Sequence, residues 1–499
     1  MPKRFSRVVF WICFQLIIST GVSQSCLPEG IIFTTQSQID SFPIIYPGCT
    51  YIEGFVEITG DSIDNLFGLE QIDSIGGDLS FGENEIMSAL NGLEGLHKVG
   101  GGLYIYQNEK LEGLSELQNL SSVNTLFVLE NDQLQDFNGL QKISTLDRLI
   151  VAYNPSLKSV LGLDSLGIVS RVFSINDNDS LENLGGISEI TFVGESFNIS
   201  DNAILSELAC KINCDTIHGN FAIVNNPMLI SINGINGITT IEGSFRIQNN
   251  HSLESISALL KLRKAGEWIN DGAIISGNSS LSSLHGLDSL ERCGDILIIS
   301  SNAISDLSGL EKLSYIYRNI EISNNPYLTD LSALNNLSHA IGIRVKNNDS
   351  LTSLAGLDNI PGSMLQNLSI AGNERLSHCH TQTICEYLLD PFRPPWIINN
   401  SVGCNSVEEI EDSCIFTDIS YSSIGDQIVL SPNPTSSYIK VENHGRAEII
   451  QIELFNTSGN RVQCSYKSGR MEISLLPEGI YIARITTDIG IIRKKIIKL

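Results

Sequence analysis

One copy of a recurring unit reads Gly102-Leu103-Tyr104-Ile105-Tyr106-Gln107-Asn108-Glu109-Lys110-Leu111. The pattern is apolar-x-apolar-x-x-Asn-x-x-Leu, and its asparagine returns every 23 to 25 residues, with one longer step of 28. A fixed period of this size, with its apolar positions in phase, predicts a solenoid of stacked coils. The repeated asparagines are Asn84, Asn108, Asn131, Asn154, Asn178, Asn202, Asn226, Asn250, Asn278, Asn302, Asn325, Asn348 and Asn373.

The apolar-x-apolar segment of each unit predicts a short β-strand, because a period of two puts both apolar side chains on one face. One strand cannot bury that face alone, but stacking on the next coil builds a parallel sheet over a continuous core. We expect the asparagine to turn inward after the strand, where its amide satisfies backbone groups of the neighbouring coil. A Gly-Leu pair such as Gly139-Leu140 predicts the turn onto the opposite side of the coil.

The repeat resembles the leucine-rich repeat class, and more closely the receptor L-domain-like variety with its L-x-I-x-x-N-x-x-L pattern. The resemblance covers roughly residues 60–376 and implies a mainly β chain with a parallel solenoid of about 13 coils. Solenoids of this kind carry many unrelated functions, so the resemblance indicates a fold and leaves the function open.

The first 23 residues predict a signal peptide. Lys3, Arg4 and Arg7 precede the apolar run from Val8 to Ile18, and small residues follow as far as Ser23. The run is too short to span a bilayer, and no later segment reaches about 18 consecutive apolar residues. The protein is therefore expected to be exported, without a transmembrane segment.

Ten of the eleven cysteines lie beyond residue 23, which suits an oxidising compartment. Cys26 and Cys49 are predicted to tie down an N-terminal cap, residues 24–59. Cys210 and Cys214 are close enough in sequence to suggest a local bridge inside the array. The C-terminal cap, residues 377–414, holds four cysteines whose three possible pairings the sequence leaves open: Cys379, Cys385, Cys404 and Cys414.

After a polar linker, residues 415–425, the pattern changes to short alternating strands separated by turns, which predicts a small antiparallel β-sandwich over residues 426–499. Its motifs include Leu430-Ser431-Pro432-Asn433-Pro434, Leu454-Phe455-Asn456-Thr457-Ser458-Gly459 and Pro477-Glu478-Gly479-Ile480-Tyr481, with a final Arg493-Lys494-Lys495. These resemble a type A C-terminal sorting domain of the type IX secretion system of Bacteroidota. The resemblance implies passage across the outer membrane through that machinery and display at the cell surface or release.

The net charge of −25 argues against binding to a nucleic-acid backbone or to an anionic membrane surface. No HExxH, G-x-S-x-G or P-loop sequence occurs, and the eight histidines are scattered. We therefore expect no catalytic residues and no catalytic metal.

The outward positions of the sheet lie four, two and one residues before each asparagine. Over three consecutive coils they form a predicted aromatic and apolar patch, which favours ligand binding unless another part of the chain or a second copy covers it. The next coils carry a polar strip that predicts a glycan contact, a calcium ion or only solvent. Further on, Arg246, Arg344 and Lys346 make the face basic. The patch comprises Tyr104, Tyr106, Phe127, Leu129, Ile150 and Tyr153, and the strip Ser174, Asn176, Asp177, Asn198, Ser200 and Asp201.

The step of 28 residues predicts a bulge near Gly266-Glu267-Trp268, with Trp268 as a second binding candidate. Together these features predict a secreted, surface-attached, non-catalytic module for binding or adhesion to a protein or glycan. Two alternatives stay open, which are an architectural spacer without a specific ligand and a glycan-active hydrolase. The hydrolase predicts a deep pocket with convergent carboxylates, whereas the binding module predicts a broad open face.

Overall fold

The computed structural model describes residues 24–266, 272–414, 428–444, 448–456, 460–487 and 490–499. The predicted signal peptide, the predicted linker and Trp268 lie outside the described residues. The chain forms two compact units, Met1–Ile238 and Thr239–Leu499. The predicted fold class is confirmed: each unit contains parallel β-solenoid coils, and antiparallel sheets follow at the C-terminus.

The first unit has one long parallel sheet, to which each coil adds a strand directly opposite its neighbour. Its strands are Ile31–Phe33, Val56–Ile58, Leu79–Gly82, Gly102–Tyr106, Thr125–Leu129, Thr145–Ala152, Ile168–Asn176, Ser196–Ser200 and Phe221–Val224. Shorter strands form along the coils at Gln24–Cys26, Cys49–Ile52, Ser74–Ile75, Lys98–Val99, Phe192–Val193 and Thr216–Ile217. Single 3₁₀ turns occur at Phe67–Leu69 and Ser115–Leu117.

The second unit continues the same pattern in its own long sheet. The strands are Phe245–Gln248, Ala273–Ser276, Ile296–Ser300, Asn319–Ser323, Gly342–Lys346, Asn367–Ala371 and Trp396–Ile398. A second sheet pairs Thr240–Ile241, Lys264–Ala265, Arg292–Cys293 and Tyr315–Ile316. The 3₁₀ turns are Ser257–Leu259, Ser332–Leu334 and Gly362–Met364.

Short helices lie in the two cysteine-containing caps, one before the first repeat and two after the last. Helix Gln36–Ile45 begins with a capping box between Thr35 and Gln38, and it buries Ile39 and Phe42. In the second unit, helices Gln382–Leu388 and Val407–Cys414 follow the last repeat. Helix Gln36–Ile45 falls within the predicted N-terminal cap.

The C-terminal residues form two antiparallel sheets, as the alternating pattern predicted. One sheet has the order Ile428–Ser431, Tyr438–Asn443, Arg470–Glu472 and Ser465–Lys467. The other has the order Arg461–Val462, Ile449–Asn456, Gly479–Thr487 and Gly490–Lys498. Residues from both sheets share one apolar core that includes Ile439, Leu454, Met471 and Tyr481.

The repeated asparagines form a buried hydrogen-bonded ladder inside each unit. Asn154 is representative: its Oδ1 accepts from the backbone N and from Nδ2 of Asn131, both at 3.1 Å. Its Nδ2 donates to the carbonyl oxygens of Val128 at 3.2 Å and Ala152 at 2.9 Å. All thirteen asparagines are buried. Because every amide serves two coils, the ladder satisfies polar groups that stacking would otherwise leave unpaired.

The ladder has one more rung than the sequence analysis identified. Asn400 accepts at Oδ1 from the backbone N and Nδ2 of Asn373, both at 3.0 Å. It lies 27 residues after Asn373, beyond the usual period, in a segment without the following leucine. The repeat pattern therefore did not identify Asn400, because its spacing is longer and prolines precede it.

Disulfides form within each predicted cap. Cys26 bonds to Cys49, with Cα atoms 5.8 Å apart. In the C-terminal cap, the pairing that the sequence left open is Cys379 with Cys404 and Cys385 with Cys414, at Cα separations of 5.6 and 5.7 Å.

The suggested bridge between Cys210 and Cys214 is wrong, because both thiols are free and buried. Burial alternates residue by residue from Cys210 through Ile212 to Cys214, so the segment is extended and all three side chains point into the core. Four residues of extended chain span about 13 Å, whereas a disulfide requires Cα atoms within about 7 Å. Closeness in sequence was therefore misleading.

These buried thiols should resist alkylation in the native protein. Burial raises the pKa of Cys210 to about 12, of Cys214 to about 11 and of Cys293 to about 12. At pH 8 a thiol of pKa 12 is ionised in roughly one molecule in ten thousand, and the thiolate is the reactive form. We expect iodoacetamide, followed by peptide mass spectrometry, to label all three only after denaturation without reductant. Failure of Cys210 and Cys214 to react in the denatured chain would instead indicate a disulfide between them.

Candidate ligand-binding face

The outward face of the first unit's long sheet carries the predicted patch. In strand Gly102–Tyr106, Leu103 and Ile105 are fully buried, while Tyr104 and Tyr106 are only partly buried. Strand Thr125–Leu129 repeats this alternation. Tyr104 and Phe127 therefore lie outside the coil core, as period-two alternation requires.

The strand register brings the patch residues together. Tyr104 lies opposite Phe127, which lies opposite Ile150 on the next strand. The ring centroids of Tyr104 and Phe127 are 5.9 Å apart, a favourable distance for an aromatic pair. In this column Ser80 precedes Tyr104 and Ser174 follows Ile150, so this apolar stretch covers three coils.

A second column runs beside the first, two residues further along each strand. Tyr106 pairs in register with Gly82 on one side and with Leu129 on the other. The Tyr106 ring packs against Gly82, where an added Cβ would meet the nearest ring atom at 2.1 Å. Burial, and then the charges of Glu57 and Glu83, raise the pKa of the Tyr106 phenol. Glycine at position 82 therefore provides the space in which the tyrosine packs.

A third column, directly before the ladder asparagines, has left-handed backbone geometry. Its φ angles are 53° at Gln107 and 55° at Glu130, Tyr153 and Asp177. This conformation costs an L-residue about 1–2 kcal/mol, and bulky residues are uncommon in it. Tyr153 is nevertheless 51% exposed at such a position. Tyr153 thus adopts a strained backbone conformation while its ring contributes little to the core, and this combination favours a role in binding.

Tyr153 lies in an open groove of about 510 Å³ formed by the loops that follow the strands. The other residues that line it are Gln107, Glu109, Glu130, Asp132, Pro155, Asp177 and Asp179. None of the five lining carboxylates forms an ion pair with another residue in the described part of the chain. The groove is therefore acidic, with an aromatic side chain among its lining residues.

Four of these carboxylates were not identified from the sequence, namely Glu109, Glu130, Asp132 and Asp179. The sequence carried this signal, because acidic residues flank the ladder asparagine on both sides at Asn131 and Asn178 and on one side at Asn108. Only the solenoid geometry shows that these flanking positions from neighbouring coils line one groove.

The polar strip next to the patch forms hydrogen bonds within itself. Ser174 Oγ donates to Asn176 Oδ1 at 3.1 Å, and Asn198 Nδ2 donates to Ser174 Oγ at 3.2 Å. The side chain of Asp177 accepts from Asn176 at 2.8 Å, and that of Asp201 accepts from Asn225 at 2.7 Å. Among the described residues, no group of three or more His, Cys, Asp or Glu side chains is arranged to hold a metal ion. The calcium prediction for this strip therefore gains no support.

Residues 430–499 match the family model of the secretion system C-terminal sorting domain. The match coincides with the antiparallel sheets and confirms the resemblance that the motifs carried. No curated protein matches the chain. In the described residues, no helix is both long and apolar enough to cross a membrane. The C-terminal domain directs the protein through the secretion machinery, across the outer membrane, to the cell surface or the extracellular space.

Proposed function

We propose that this exported protein is a non-catalytic recognition module that binds a protein or glycan ligand at the outward face of its first unit. The observation that carries the proposal is the register of Tyr104, Phe127 and Ile150, which makes one contiguous apolar surface between Ser80 and Ser174. Solvent-facing sheet positions rarely hold such a cluster unless a partner covers it.

The groove beside the patch supports the same proposal and adds a charge preference. Tyr153 presents a half-exposed ring among five carboxylates without ion-pair partners. A ligand with an apolar surface beside lysine, arginine or amino-sugar groups would match both features. We assign these carboxylates a role in attraction and orientation, and no role in bond cleavage.

The test is a triple variant, Tyr104→Ser, Phe127→Ser and Tyr153→Ser, compared with the unaltered protein. Both are screened against glycan arrays and extracellular proteins, and hits are quantified by surface plasmon resonance. We expect at least a 100-fold loss of affinity for a ligand of this face, since aromatic hot spots contribute about 2 kcal/mol or more each. Circular dichroism checks that the variant is folded.

A matched control carries Tyr317→Ser, Tyr327→Ser and Met364→Ser. These side chains are 47%, 64% and 47% exposed and belong to the second unit, so their removal should leave binding unchanged. Equal affinity of the patch variant and the control would contradict the proposal. No ligand for either protein would favour the architectural alternative.

A further inference from the structure

The second unit contains a trough at the last strands of its long sheet. Arg344 lies in register with Ser369, which lies in register with Trp396. Two residues further along the strand, on the same face, Lys346 lies opposite Ala371. The middle strand thus carries small side chains, and the strand on each side of it carries large ones. The two outer strands are two strand spacings, about 10 Å, apart. The resulting cavity measures about 540 Å³.

One wall of the trough is aromatic. Trp396 belongs to the final strand of the sheet and is 62% exposed, an unusual placement for the largest apolar side chain. Phe392 also lines the cavity, but its ring is contacted by the guanidinium of Arg484 at 5.3 Å. The indole of Trp396 has no such cation contact in the described part of the chain, whereas the ring of Phe392, although 67% exposed, has the Arg484 guanidinium over it.

The trough is also basic, and among its described lining residues only one cation has no carboxylate partner. Arg344 is paired with Glu321 at 2.6 Å. Arg393 is paired with Asp390 at 3.2 Å and also donates to backbone carbonyls. Lys346 has no carboxylate partner in the described part of the chain, and the described lining residues include no carboxylate. The trough thus presents one free cation in a chain of net charge −25.

Neutral amides supply the remaining polar groups. The side chains of Asn319, Gln366 and Asn367 line the cavity and form no hydrogen bond through their own donors to another described residue. Each amide offers two donors and one acceptor oxygen, which suits the mixed donor and acceptor character of hydroxyl groups.

We propose that this trough binds an acidic saccharide. The indole of Trp396 stacks on the apolar face of a sugar ring, the ammonium of Lys346 pairs with the ring carboxylate, and the amides bond to the hydroxyls. A single free cation beside neutral amides matches one charge per sugar, whereas an acidic peptide would call for several cations. The site shares no residue with the patch of the first unit and stands independently of it.

The experiment is isothermal titration calorimetry of the full-length protein with tetragalacturonate and with sialyllactose, at low salt. The neutral counterparts are methyl-esterified tetragalacturonate and lactose. We expect at least one acidic probe to bind at least tenfold more tightly than its neutral counterpart. Lys346→Gln should remove most of that difference, and Trp396→Ala should weaken both forms at least tenfold.

Tyr327→Ser serves as the control, because this side chain is 64% exposed in the same unit, does not line the trough and should leave saccharide affinity unchanged. A hexaglutamate peptide tests whether charge alone is recognised. The proposal is overturned if neither acidic probe binds, if charged and neutral probes bind equally, or if Lys346→Gln keeps full affinity. Equal binding of hexaglutamate overturns it as well.

Discussion

Replacing Asn154 by alanine should destabilise the first unit by about 3–5 kcal/mol, a large fraction of the stability of an ordinary domain. The substitution removes five hydrogen bonds at once from a fully buried site, including the one that Nδ2 donates to Asn178 Oδ1. It leaves two donors of Asn131 and the carbonyls of Val128 and Ala152 without these partners. Each buried, unsatisfied polar group costs about 1–3 kcal/mol, and entry of water can recover only part of that.

The measurement is urea unfolding followed by circular dichroism, with Asn213→Ala as the matched control. Asn213 belongs to the same unit, and its amide bonds to Glu189 at an exposed site. We expect the control to change stability by less than about 0.5 kcal/mol. Similar losses in both variants would show that the ladder does not stabilise the coils.

Replacing Gly139 by alanine should cost about 2–4 kcal/mol, because two penalties combine. Gly139 has a φ of 117°, and an added Cβ would lie 1.9 Å from the carbonyl oxygen of Leu114. Both penalties arise at the Gly-Leu turn of the repeat, where the neighbouring coil's backbone passes close to the glycine. The same turn glycine has φ between 105° and 122° at Gly92, Gly162, Gly286, Gly309 and Gly356.

Gly113 provides the control for this prediction. An added Cβ there has no atom within 4 Å, and its φ is not in the left-handed region. Gly113→Ala should therefore be neutral or stabilise the protein by up to about 1 kcal/mol, through the unfolded chain. If the unfolding midpoints of the two variants coincide, the turn does not require glycine.

Periodicity predicted the solenoid well, because each coil repeats one local solution. The strand of each unit and the inward asparagine follow from a two-residue alternation that one copy already shows. Leu103 and Ile105 are buried and Tyr104 faces outward for this reason. The C-terminal sorting domain was equally accessible, since its motifs are ordered and specific.

Features that depend on contacts between coils or on departures from the repeat were harder to predict. The acidic groove needs residues from four coils, and the trough at Trp396 needs the final strand, whose rung Asn400 departs from the period. Cys210 and Cys214 were misjudged because sequence separation says nothing about whether the chain between them is extended. The role of the patch in binding stays a prediction.

The most direct test of recognition by the patch is oxidative footprinting of the protein with and without the ligand that the binding screen identifies. Hydroxyl radicals modify exposed aromatic rings, so Tyr153 and Tyr104 report on the patch, and Tyr327, 64% exposed in the second unit, is the internal reference. We predict that the ligand slows modification of Tyr153 and Tyr104 several-fold and leaves Tyr327 unchanged. Protection elsewhere, with Tyr153 and Tyr104 still modified at the rate of the free protein, would contradict the account.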